Sequence, residues 1–429
     1  MWLSRRSLLA GVGGLGAAAM LPTLSRAARA QGARRLVVVL ADGGWDTSMV
    51  FDPKLGVAGV DGPEVDEVAG NPDDVNELTA FGDITLCTNE GRRPAVSRFF
   101  EKWADRCVVV NGLLVGSIVH DFGRYRILTG TQVNTNPDLA TIAGFEHGAN
   151  LPLGSVDTSG LSLSGTLGTS AGRLGARNQI GYLLDGTQMP APLPSMGISR
   201  YPQFTPDLDE QALLEEFVVN RLTQQPTTRA GMQAQVDAMI EARDRAQRLV
   251  EARDLILPEL RTGVAQSLVG LADLAVNLLA NDVCSTVTID SGLTWDTHEG
   301  NALQHANYDM LFSPLDTLIQ GLSDRGLLDS TLVAVVSEMG RTPRLNGTAG
   351  KDHWPTTSAL LLGGPTRGGR VVGGTDDGVE ALPVDLASGA TTSSGAILRY
   401  DNFAAGLLAM LDIDPGDWLP RVDPFLGAM

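Results

Sequence analysis

Short apolar runs alternate with helical spacings along this chain, and polar clusters sit where the runs end. Residues 331–336, TLVAVV, form a β-branched run of strand length bounded by polar residues. That pattern predicts a strand buried on both faces, as inside a parallel sheet. The runs over 34–42, 108–114, 283–290 and 357–362 read the same way. Helical spacing appears over 94–106, with Val96, Phe99, Phe100 and Trp103 on one face, and again over 302–324 and 402–411. Another helix opens near His120. A further stretch, 207–282, is mostly helical, with a break at Pro226 and a kink or division at Pro258. Residues 43–93 and 134–207 are rich in Gly, Pro, Ser and Asp and read as irregular. Five strands separated by helical patterns predict a doubly wound, largely parallel α/β sheet with helices on both faces.

In such sheets chemistry collects beyond the carboxyl ends of the strands. Asp42 ends the first run, and His120 with Arg124 follows the second. Asp296 and His298 follow the third. Ser337, Glu338, Met339, Gly340 and Arg341 follow the fourth, and a loop with two glycines then delivers Asp352, His353 and Trp354. Aspartate and histidine at separated strand ends are ligand types for zinc, manganese or iron. Arg124, Arg341 and Arg344 are candidates to hold an anionic group. Each of these residues alone would ordinarily be a cap, a turn former or a surface group. Three of only five histidines fall in the clusters, and that convergence favours a site; His147 and His305 lie in helical patterns and read as structural or exposed.

Charge and targeting narrow the function classes. Ser4-Arg5-Arg6-Ser7-Leu8-Leu9 has the form of a twin-arginine export signal, followed by an apolar run with four glycines and the small-x-small sequence Ala28-Arg29-Ala30. The expectation is removal of residues 1–30, a mature chain beginning at Gln31 without a membrane span, and delivery to a bacterial periplasm. The first thirty residues hold four arginines and no acid, so their loss takes the formal charge from −18 to −22. Such a chain repels nucleic acid and anionic headgroups. Cys87, Cys107 and Cys284 are widely spaced and odd in number, which excludes a cysteine zinc site and suggests small core residues. No phosphate-cradling glycine motif is present.

Taken together, the leader, GGWDTSMVFDP after the first strand, the WDTH loop, and SEMGRTPRLNG with a later DHWP resemble one secreted bacterial family. It is known as domain of unknown function 1501 and is related to the alkaline phosphatase and sulfatase superfamily. The resemblance spans most of the mature chain. It implies a single phosphatase/sulfatase-like domain over 31–429, with irregular and helical insertions around 134–282 and a metal-centred site. It places Asp42 at the first-strand metal aspartate and His353 at the late histidine. His120 falls where the sulfatase signature has its nucleophilic cysteine, with Arg124, Leu128, Thr129 and Gly130 matching that signature. A histidine cannot become formylglycine. Glu338-Met339 stands in place of an Asp-His metal pair.

The expectation for function is an exported metal-dependent hydrolase-like protein acting on a phosphate or sulfate ester or another anionic substrate. Asp42, Asp296, His298, Glu338, Asp352 and His353 would hold one divalent ion. His120 would act as nucleophile or general acid/base, with Arg124 orienting the anion and Arg341 assisting. The competing expectation is a catalytically degenerate relative that binds a glycan or a partner protein.

Overall fold

Alternation inside the apolar runs decides the architecture. The computed structural model describes residues 34–174, 180, 184, 208–224, 230–254, 256 and 267–429. The export signal, Pro226 and Pro258 lie outside the described residues. Eight strands form one sheet: β1 Arg35–Leu40, β2 Cys107–Leu114, β3 Ser155–Asp157, β4 Ala171–Arg173, β5 Thr286–Asp290, β6 Thr331–Val336, β7 Thr356–Gly363 and β8 Arg370–Gly373. Their spatial order is β8-β2-β7-β6-β1-β5-β3-β4. All neighbours are parallel except that β7 runs antiparallel to both β6 and β2.

Successive residues on the central strands serve opposite faces. Val37, Val39, Val333 and Val335 join a core containing Phe99, Leu274, Phe312 and Leu315. Leu36, Val38, Leu332 and Ala334 join a second core with Ile127, Ile142, Phe403 and Leu407. One face is therefore covered by helices α1 Pro94–Trp103, α6 Leu268–Ala280 and α7 Leu303–Asp324. The other is covered by α2 His120–Thr129, α3 Leu139–His147 and α8 Tyr400–Met410. The helices α4 Leu208–Gln224 and α5 Ala230–Glu251 form the helical segment between β4 and α6. This is the mixed α/β fold expected, with a central, mostly parallel sheet.

Two stretches differ from their sequence reading. The irregular 43–93 region contains an antiparallel hairpin, Glu77–Phe81 with Ile84–Thr88. Part of the 134–282 region is core rather than insertion: β3 and β4 extend the sheet, and α3 and α6 pack on it. Three-residue strands give no periodicity to detect. Among the described residues no helix is long and apolar enough to cross a membrane. The three cysteines are free and buried, as their spacing suggested.

Candidate metal centre

The loops after β1, β5 and β6 leave neighbouring central strands at their carboxyl ends, so they rise side by side. Two buried tryptophans anchor the first two loops. Trp45 and Trp295 meet edge to face with centroids 6.2 Å apart, and Tyr308 of α7 packs against both. Beyond β2, a short turn opens α2 with His120 as its first residue. The reversed β7 completes the set, because its amino end lies on this same edge. The residues just before it, His353–Trp354, pair with Gly340–Arg341 in a short antiparallel ladder.

Four side chains meet above these strand ends. Asp296 Oδ1 lies 3.1 Å from His353 Nε2 and 3.2 Å from His298 Nε2, and Asp296 Oδ2 lies 3.4 Å from His120 Nε2. The two rings of His298 and His353 bring their Nε2 atoms to 2.9 Å. One donor atom from each of His120, Asp296 and His353 falls within 4.8 Å of the others. His298 adjoins two of those three.

Each imidazole is tied at its other nitrogen. His120 Nδ1 meets Glu338 Oε1 at 2.7 Å, His298 Nδ1 meets Asp352 Oδ1 at 2.9 Å, and His353 Nδ1 meets the Ile118 carbonyl at 2.7 Å. Carbonyls and ionised carboxylates only accept, so all three Nδ1 atoms donate. In a neutral ring that leaves an Nε2 lone pair. Two such lone pairs face each other at 2.9 Å between His298 and His353, an arrangement that only a proton or a cation relieves. Donor atoms of a four-coordinate divalent ion stand about 3.3 Å apart when bond lengths are 2.0–2.2 Å. The Asp296–His353, Asp296–His298, Asp296–His120 and His298–His353 spacings fit that group, within a donor set that spans up to 4.8 Å. Tethering the second nitrogen to a carboxylate or carbonyl is also how metal-binding histidines are oriented.

The support beneath is charged and buried. Glu338 is fully buried, and besides His120 it accepts from the Gly43 amide at 2.8 Å. Gly43 has a φ of 121°, and a Cβ there would stand 2.7 Å from the Asp296 amide nitrogen, so the close approach of these loops requires glycine. Asp296 also accepts from Arg341 at 2.6 Å. Partial burial works against its charge, but the bond from Arg341, joined by one from His353 when that ring is protonated, prevails and holds its carboxyl at about 2. The bond to Glu338 raises the pKa of His120. Asp352 is held below the usual carboxylate range by its bond to His298.

Several residues take positions that spacing alone did not suggest. Arg341, expected to clamp a substrate, is fully buried and donates to the carbonyls of Gly43, Gly44 and Lys351 as well as to Asp296. It positions the site rather than facing a ligand. Arg124 donates in two-pronged fashion to Asp42 at 2.6 and 2.9 Å and to Asp121 at 2.8 Å. Asp42, expected as a ligand, is thus engaged by a guanidinium, while Glu338 and Asp352 stand behind the histidines. Arg344 turns to the Gly59 carbonyl. Met339 is buried against Gly44. His305 is buried beside Arg93, and His147 Nε2 meets the Leu411 carbonyl, so neither joins the centre.

Two further groups stand outside the expected site residues. Lys351 and Asp46 form a buried ion pair at 2.7 Å that joins the β1 loop to the segment before His353. Lys351 is one of only three lysines in the chain, a rarity that could have drawn notice. Asp290, at the end of β5, has a buried, unpartnered Oδ1. Burial, reinforced by the nearby charges of Asp42 and Glu338, raises its pKa to about 6.

An α/β sheet with a histidine–aspartate cluster over its central strand ends defines the class. The chain belongs to the family described as "Protein of unknown function (DUF1501)", whose model matches residues 33–417. No curated protein matches its sequence significantly. Solved structures that resemble it include a protein in the alkaline phosphatase superfamily from Vibrio parahaemolyticus, 10% identical, covering 92% of this chain and 70% of that one, with a TM-score of 0.39. PsFucS1 sulfatase from Pseudoalteromonas sp. is 10% identical over 92% of this chain and 72% of its own, with a TM-score of 0.37. The lipoteichoic acid synthase LtaP from Listeria monocytogenes is 11% identical over 93% and 76%, with a TM-score of 0.38.

Proposed function

We propose that this is an exported metal-dependent hydrolase acting on a phosphate or sulfate ester, with one divalent ion held by His120, Asp296 and His353 and adjoined by His298. The observation that carries this reading is the convergence of Nε2 atoms whose Nδ1 partners are all acceptors. Zinc, manganese and iron suit three imidazoles and a carboxylate. When bound, such an ion polarises an ester oxygen and acidifies water. The chain's own groups do the rest. Glu338, Asp352 and the Ile118 carbonyl orient the rings, Arg341 fixes Asp296, and Arg124 stands one helical turn from His120. In this assignment His120 is a metal donor, not the nucleophile that the resemblance first suggested. The leader would deliver the folded, loaded protein through the twin-arginine machinery to the periplasm.

A binding role toward a glycan or partner protein is the second reading. What favours it is the engagement of Arg124 by Asp42 and Asp121, which leaves its charge matched. Hydrolysis separates the two. Protein purified without a metal-chelating tag is expected to hydrolyse 4-nitrophenyl phosphate or sulfate esters, to stop with chelator, and to resume with added zinc or manganese. Asp296→Ala is expected to lower the rate at least about a hundredfold. Loaded protein that turns over none of these esters favours the binding role.

A further inference from the structure

Resting on the metal-centre reading, we propose that the site selects its ester by charge. It accepts monoanions, namely sulfate monoesters and phosphate diesters, over the dianion of a phosphate monoester. The grounds are the charged groups carried by the elements that surround the donors. The β1 loop brings Asp42, α2 brings Asp121 and Arg124, the β5 loop brings Asp296, and the end of β6 brings Glu338. The Gly340–Arg341 and His353–Trp354 ladder and its loop bring Arg341 and Asp352. Lys351 is matched by Asp46, both buried, and adds nothing to the balance.

Five carboxylates therefore stand against two guanidiniums, and both guanidiniums already bond to carboxylates. A divalent ion still leaves one carboxylate in excess with neutral histidines. Asp290 tips the balance further: one carboxyl oxygen is buried without a partner beside the same strand ends. Burial is the chief cause of its raised pKa of about 6, with Asp42 and Glu338 adding to it. Each further negative charge on a ligand meets that excess. At the effective dielectric of a half-exposed site this costs about tenfold in binding constant per charge.

The test uses the full mature chain loaded with cobalt, whose visible spectrum reports binding independently of turnover. The ligands are 4-nitrophenyl sulfate, methyl 4-nitrophenyl phosphate and 4-nitrophenyl phosphate, at a pH of about 8 where the last is a dianion. Both monoanions are expected to bind at least about tenfold more tightly than the dianion. In Asp121→Asn, which removes an exposed charge, that gap should narrow roughly threefold, and Asp121→Glu should restore it. A dianion bound as tightly as the monoanions, or a gap unmoved in Asp121→Asn, overturns charge selection. Graded binding without hydrolysis supports charge selection while defeating the hydrolase reading; a chain that takes up no cobalt overturns both.

Discussion

Glu338 serves both His120 Nδ1 and the Gly43 amide through one oxygen, Oε1. It thereby fixes a tautomer and a loop together. Replacing it with an isosteric amide keeps the shape but weakens the hold on both. Glu338→Gln is expected to lower zinc affinity about 10- to 100-fold while the protein stays folded, by calorimetric titration beside a thermal melt. Unchanged affinity would show that the His120 ring needs no anchor. Asp296 offers a second check, through pH. Its folded-state pKa of about 2 lies below the ordinary 3.8, so the ionised form stabilises the native chain. That stability is fully present above about pH 4 and is lost as pH falls from 3.8 toward 2. Melts of metal-free protein across that range should show the loss, and Asp296→Asn should remove the part due to Asp296 while leaving that of other depressed carboxyls such as Asp74. A parallel acid profile in the variant would contradict the assignment.

At the scale of elements, α2 is held against the end of β6 by the smallness of one residue. A Cβ on Gly123 would stand 2.6 Å from the Glu338 carbonyl and 3.1 Å from its Cγ. Gly123→Ala is expected to push α2 outward, costing about 1–3 kcal/mol by urea unfolding and weakening metal binding. Wild-type stability and affinity would mean the helix is not seated there. The strands that carry the loops were legible because β-branched runs such as 331–336 are unambiguous in length and pattern. The reversal of β7 was not, since alternation says nothing of direction, and it is the reversal that brings His353 in at the amino end of a strand. The candidate donors stood out as polar clusters after apolar runs. Their partners did not: that Arg124 would take Asp42, or Lys351 would find Asp46 some three hundred residues away, depends on which loops the sheet order sets side by side.

For the whole molecule, the proposed export rests on the leader sequence, with its Arg5-Arg6 pair. Arg5→Lys with Arg6→Lys is expected to keep the protein in the cytoplasm, by immunoblot of periplasmic and cytoplasmic fractions. Export undiminished in that variant would remove the twin-arginine assignment. The central claim, however, is the ion among His120, Asp296 and His353. The most direct measurement is metal content by plasma mass spectrometry on tag-free protein, wild type beside a His120→Ala, His353→Ala double variant of unchanged melting temperature. About one zinc, manganese or iron per chain in the wild type, and less than about a tenth in the variant, is the expected result. A folded wild-type chain that carries no ion and is indifferent to chelator would contradict the account.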